Sequence, residues 1–113
     1  MKNKETVSSG VAHNALAAGT MIKGNIKAEE DLRIDGKVEG SVECAGKVVI
    51  GPQAEILGDI HCAYADVMGK VEGSIEAKEV LCLKASALLI GEVTVGSIEI
   101  EPGATFNGIC KMQ

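Results

Sequence analysis

Among the 113 residues there is no tryptophan, one tyrosine (Tyr64), one phenylalanine (Phe106), two prolines and two histidines. A core almost without aromatic side chains has to be filled by Val, Ile, Leu, Ala and Cys, which suits a narrow, regularly layered interior. So little proline excludes a proline-rich disordered chain, and 14 glycines without a strict period of three exclude collagen. No apolar run reaches the ~18 residues of a membrane-crossing helix, and Met1 to Gly19 carries no apolar signal segment, so a cytoplasmic protein is expected. In that compartment Cys44, Cys62, Cys82 and Cys110 are expected as reduced thiols. Positive charge is scarce as well, with 11 basic against 16 acidic residues, a net charge of -5 and no basic stripe, so no nucleic-acid partner is expected. The length holds one small core plus a short tail and rules out a multidomain enzyme.

What the chain has is repetition. Gly36-Lys37-Val38-Glu39-Gly40-Ser41 returns letter for letter as Gly69-Lys70-Val71-Glu72-Gly73-Ser74, 33 residues later (69 - 36). A looser motif of Gly, polar, aliphatic, polar, small begins at Gly24, Gly40, Gly58, Gly73 and Gly91, with a truncated copy at Gly108. The steps between these glycines are 16, 18, 15, 18 and 17 residues, so the unit is about 17 residues and the literal repeat spans two units.

Within a unit apolar and polar residues alternate, the period of a strand with one buried face, and the runs are too short for amphipathic helices. The second unit reads inward at Val42 and Cys44, Val48 and Ile50, Ala54 and Ile56; the fourth at Ile75 and Ala77, Leu81 and Leu83, Ala87 and Leu89. The fifth reads Val93 and Val95, Ile98 and Ile100, Ala104 and Phe106. A unit with three short sides cannot bury its own apolar face and must stack on the next at the ~4.8 Å strand spacing. The expected fold is all-β: a single-domain parallel β-helix of about six windings, three strands each, over residues 20–113, behind a flexible N-terminal tail over residues 1–19. Unequal coils, and the lack of a strict hexapeptide repeat, favour the right-handed form.

Such a core is filled and leaves little room for chemistry. Cys44 and Cys62 fall on the same inward position of successive coils, where a thiol ladder is expected rather than a zinc site, and His61 points the other way. Glu39, Glu43, Glu72 and Glu76 repeat on a convex exterior with no cleft to pair them. There is no G-x-x-x-x-G-K-[ST] loop, no G-x-G-x-x-G before a helix and no Ser/His/Asp grouping. The expectation is no catalytic residue, no cofactor, no metal and assembly without nucleotide.

Three stretches give the chain a resemblance. Leu32-Arg33-Ile34-Asp35-Gly36-Lys37-Val38-Glu39-Gly40, Leu83-Lys84-Ala85-Ser86-Ala87 and Glu101-Pro102-Gly103-Ala104-Thr105-Phe106-Asn107-Gly108 resemble the bactofilins, bacterial polymer-forming cytoskeletal proteins. The likeness runs in order from Asp31 to Met112. It implies a right-handed β-helix that joins end to end into filaments without nucleotide, as a scaffold for cell-shape or envelope machinery. Cell-wall or envelope proteins are then expected partners beside the chain itself. The family also implies a membrane-targeting tail, for which Met1, Lys2 and Lys4 are a weak match, because they lack a bulky apolar residue to insert. That tail would hold the polymer at the inner face of the cytoplasmic membrane.

The physical argument meets the resemblance at the two ends of the solenoid. Soluble solenoids cover their terminal layers with polar caps, and no such cap is legible here. The ends are therefore candidate polymerisation surfaces, with Met21, Ile22 and Ile26 at one and Phe106, Ile109, Cys110 and Met112 at the other. On the outward phase Val80, Cys82, Leu88 and Ile90 form a candidate apolar strip for lateral bundling or a docked partner. The competing functional readings are a non-polymerising module that docks an envelope enzyme on this strip, and a degenerate trimeric acyltransferase-type β-helix.

Overall fold

The computed structural model describes residues 13–113 of the chain. They form one sheet of nine strands: β1 (His13–Leu16), β2 (Met21–Ala28), β3 (Asp31–Ile34), β4 (Lys37–Cys44), β5 (Lys47–Ile50), β6 (Glu55–Val67), β7 (Lys70–Leu83), β8 (Leu88–Ile100) and β9 (Thr105–Met112). Every pairing is parallel, and each strand pairs with the one a full turn later. The registers resolve into three sides of a prism. Residues 21–24, 37–40, 55–58, 70–73, 88–91 and 105–108 stack on the first side, and 25–28, 41–44, 59–62, 74–77, 92–95 and 109–112 on the second. Residues 13–16, 31–34, 47–50, 64–67, 80–83 and 97–100 stack on the third. The fold is thus a parallel β-helix of six windings.

The repeated glycine marks the bend between the first and second sides. Gly40 and Gly58 have φ of 141° and 143°, a region that favours glycine, and a Cβ on Gly58 would fall on the carbonyl oxygen of Gly40 in the winding before. Glycine is required here because backbone stacks on backbone at van der Waals contact. The unequal steps arise at the other corners. The corner from third to first side holds two residues at Asp35-Gly36 and Met68-Gly69, but four at Gly51 to Ala54, Lys84 to Ala87 and Glu101 to Ala104. Each long corner is closed by a backbone hydrogen bond, with the amide of Ala54 donating to the Gly51 carbonyl at 3.0 Å and that of Ala87 to Lys84 at 2.9 Å. The corner from second to third side varies between one and two residues, which shifts the register between Cys62 and Tyr64 and between Ala77 and Val80.

The alternation places the expected residues inside. Val42, Val48, Ile50, Ile56, Val71, Leu81, Leu83, Leu89, Val93 and Val95 are fully buried, and no polar or charged side chain is buried among the described residues. Outside, polar side chains stack in ladders: Ser41 donates to Asn25 at 2.7 Å, Ser74 to Asp59 at 2.7 Å, and Glu55 sits between Lys37 and Lys70 at 3.5 and 3.7 Å.

The sheet starts earlier than the sequence reading placed it. Strand β1 lies within the stretch expected to be tail, pairs with β3 from His13↔Asp31 to Leu16↔Ile34, and Leu16 packs against the core. Residues 1–12, with Met1, Lys2 and Lys4 of the expected membrane segment, lie outside the described residues.

Candidate assembly surfaces

The last winding repeats the inward pattern of the windings before it, and among the described residues no strand stacks beyond it. Ile100 occupies the slot of Leu83, and Met112 the slot of Val95. Leu83 and Val95 are fully buried, whereas Ile100 is 51% and Met112 56% exposed. Ile98, Ala104 and Phe106 follow Leu81, Ala87 and Leu89 and are half-buried against the core, and Cys110 below Val93 is exposed. The Cys110 thiol lies 3.9 Å from the Met112 sulfur. Ile98, Ile100 and Ala104 therefore belong to the same end surface as Phe106, Cys110 and Met112. Their place was legible from the inward phase of the fifth unit, since the residue after the last covered winding inherits an uncovered slot.

Ile109 stands apart. It follows Asn25, Ser41, Asp59, Ser74 and Glu92 on the outward position after the glycine, and is 58% exposed on the side of the rod. Met21 does the same at the first winding: it pairs with Lys37 on the outer phase and is 51% exposed. The inward residues of that winding are Ile22, half-buried, and Ile26 and Ala28, buried, with Leu16 packed beside them. Hence the C-terminal end presents the larger uncovered apolar surface of the two.

The expected outer strip divides. Val80 and Cys82 lie on the third side and Leu88 and Ile90 on the first, with the corner Lys84 to Ala87 between them. All four are half-buried. Val80 adjoins Tyr64 on the third side, and Ile90 is separated from Leu57 by Glu72 on the first.

All four cysteines are free. Burial pushes the Cys62 thiol up to about 12, with the neighbouring Cys44 adding to the shift. Burial likewise raises Cys44, whose thiol donates to the Glu30 carbonyl at 3.1 Å, and raises Cys82, where Asp66 and Glu99 reinforce it. Neutral buried thiols are poor nucleophiles and poor metal ligands. His61 Nδ1 lies 3.0 Å from a Glu76 carboxylate oxygen on the exposed second side. Among the described residues no three His, Cys, Asp or Glu side chains converge on a metal position, and no helix is long and apolar enough to cross a membrane.

The chain was compared with known proteins. Residues 14–111 match the family model "Bactofilin: Polymer-forming cytoskeletal". Two Myxococcus xanthus proteins are similar: bactofilin BacP, 27% identical over 91% of this chain and 43% of its own length, and bactofilin BacO, 28% identical over 87% of this chain and 78% of its own. The chain thus spans less than half of BacP. Among solved structures, the cytoskeletal bactofilin BacA, determined by solid-state NMR, superposes with a TM-score of 0.82 at 30% identity, covering 91% of this chain and 99% of that one. The Thermus thermophilus bactofilin, reconstructed as double helical filaments, gives 0.77 at 25% identity over 88% and 99%. With the six-winding parallel solenoid and the family match across nearly all of its described residues, the chain belongs to the bactofilin family, the polymer-forming cytoskeletal proteins.

Proposed function

We propose that the chain is the subunit of a homopolymer whose rods join end to end, without nucleotide, through their terminal windings. The observation that carries this reading is the exposure of Ile100 and Met112 in slots that are fully buried one winding earlier. A second rod placed there completes the burial of Ile98, Ile100, Phe106 and Met112, each already half-buried and so worth roughly half of the about 1.5–3 kcal/mol of full burial, and gives the unpaired edge of the terminal winding a strand to bond. That gain is set against the roughly 4–15 kcal/mol of lost rigid-body freedom, so the joint needs most of these residues together. At the other end Ile22, half-buried, offers a smaller surface, and Ile26 is already buried within the single chain. The polymer is a structural element, without catalytic residues, lying in the cytoplasm at the inner face of the membrane and organising cell-shape or envelope machinery. Resemblance to the family is the support for that cellular role.

The test is negative-stain electron microscopy of the purified wild type and of Phe106→Arg, without nucleotide or metal, with circular dichroism on both. Filaments from the wild type and none from a β-rich, folded Phe106→Arg are expected. A wild type that stays monomeric at all concentrations would overturn the reading.

A further inference from the structure

Asparagine followed by glycine occurs once in the chain, at Asn107-Gly108, and aspartate followed by glycine once, at Asp35-Gly36. In such pairs no Cβ shields the glycine amide nitrogen, which can close a five-membered ring on the side-chain carbonyl carbon of the residue before it. The fold treats the two pairs oppositely. Gly36 is buried, a Cβ on it would fall on the Thr20 carbonyl oxygen, and its own carbonyl accepts from the Glu55 amide at 3.1 Å. Arg33 holds the Asp35 carboxylate through Nε at 2.8 Å and Nη2 at 3.0 Å. That pair is clamped between windings.

Asn107 and Gly108 are exposed in the last winding. The amides of Thr105 and Gln113 donate to the Ala87 and Val95 carbonyls of the winding before, at 2.9 and 2.8 Å. Successive residues of a strand turn their backbone groups to alternate sides, so Phe106, Gly108, Cys110 and Met112 turn theirs to the open end. Gly91, in the same register one winding earlier, shows this direction, because its carbonyl oxygen points at Gly108. Among the described residues no winding lies beyond Gly108 to take its amide. Asn14 and Asn25 differ, being followed by Ala15 and Ile26, whose side chains crowd the amide nitrogen, and Asn25 accepts from Ser41 at 2.7 Å.

We infer that Asn107-Gly108 is a self-modification site on the assembly surface, which deamidates in free rods and is protected in joined ones. A winding paired on one face opens locally at lower cost than a covered one, and opening lets the Gly108 nitrogen reach Asn107 Cγ. The amide gives its proton to hydroxide and the N–Cγ bond forms. The Cγ–Nδ2 bond then breaks, ammonia leaves with a proton from water, and a succinimide remains. Water opens the ring at Cγ to give aspartate, or at the main-chain carbonyl to give isoaspartate. Isoaspartate routes the backbone through Cβ and lengthens β9 ahead of Cys110 and Met112, so their register with Val93 and Val95 is lost. Both products add negative charge beside the apolar end. A second rod stacked there would bond the Gly108 amide and exclude water. Free subunits thus lose with time the ability to join, while joined ones keep it. The protection rests on the end-to-end reading; the site itself does not.

The experiment ages the full chain at mildly alkaline pH as wild-type filaments and as free rods. The free rods are obtained both by dilution of the wild type and with Ile100→Arg, which leaves the neighbours of Asn107 unchanged. Ile100 is 51% exposed, so this variant should keep its β-rich circular dichroism. Peptide mass spectrometry reads the shift of an amide converted to an acid, and methyl transfer by a protein-isoaspartate methyltransferase counts isoaspartate. Asn107 is expected to be modified before Asn14 and Asn25, and roughly tenfold or more faster in free rods than in filaments. Wild type aged as free rods and then concentrated should form fewer filaments, whereas Asn107→Gln aged in the same way should form as many as when fresh. Modification of Asn107 no faster than of Asn14 and Asn25 in free rods would overturn the site. Equal rates in filaments and free rods, or equal loss of assembly in Asn107→Gln, would overturn its link to the joint. A wild type without filaments whose Asn107 is still modified first would overturn the end-to-end reading and leave the site standing.

Discussion

Leu83 and Ile100 hold the same position one winding apart, as do Val95 and Met112, and the chemistry of the side chains hardly changes between them. The fifth winding is covered on both faces and the sixth on one, and that alone takes these slots from full burial to half exposure. In a solenoid the sequence of a coil defines an apolar slot, while the neighbouring coil supplies the burial. Stability is therefore a nearest-neighbour property, and an end is a coil whose neighbour can come from another molecule.

The largest effect separating covered from uncovered positions is expected at the glycine bend. Gly73→Ala drives a Cβ into the Gly58 carbonyl at a φ of 139°, whereas Gly24→Ala meets nothing within 4 Å and bears only the backbone strain of its φ of 130°. Gly73→Ala should lose about 4 kcal/mol or more and Gly24→Ala about 1–2 kcal/mol, read from thermal unfolding by circular dichroism. Comparable melting temperatures for the two would break the comparison.

Next comes truncation in paired slots. Leu83→Ala should cost about 2–5 kcal/mol in chemical denaturation, and Ile100→Ala less than about 1.5 kcal/mol in the Phe106→Arg background, which is expected to be monomeric. If Ile100→Ala proved as costly as Leu83→Ala, the sixth winding would already be covered in the monomer.

Alkaline pH gives a smaller, graded effect. Cys62 shifts from an ordinary 9.0 up to about 12 in the fold, so folding favours its neutral thiol. A raised pKa means that this stability is whole below about pH 9 and lost as pH rises towards 12, by at most about 1.4 kcal/mol per pH unit. Cys62→Ala, which puts the Ala77 side chain's counterpart in the adjacent winding, should flatten that decline. Urea titrations of both proteins at pH 8 and pH 10.5 measure it, and parallel declines would show that other groups govern alkaline unfolding. The smallest change is Glu55→Gln, which removes two exposed contacts to Lys37 and Lys70 and should cost less than about 1 kcal/mol in the same assay.

The windings were legible because each carries the same pattern: the glycine sets the phase, and every inward residue read from the second and fourth units is buried. The ends were less so. Ile109 is an aliphatic residue in a slot otherwise held by Asn, Ser, Asp and Glu, so its hydrophobicity points inward while the register set by Gly108 turns it out. Met21 errs in the same way against Lys37. Val80, Cys82, Leu88 and Ile90 look continuous in the sequence, but the four-residue corner between them carries the chain onto another side. Strand β1 escaped notice because His13-Asn14-Ala15-Leu16 has a single bulky apolar residue, and its strand state comes from pairing with β3, a tertiary cause invisible in local pattern.

The literal repeat at Gly36 and Gly69 has a geometric meaning. Its 33 residues span one pair of windings, from one two-residue corner to the next, so Asp35 could be spliced to Gly69 with the local sequence Gly-Lys-Val-Glu-Gly-Ser intact. A chain shortened in this way would keep both terminal coils and lose roughly 10 Å of length at the ~4.8 Å strand spacing. The protein is in this sense a ruler graduated in pairs of coils, in which subunit length and the chemistry of the ends can vary independently.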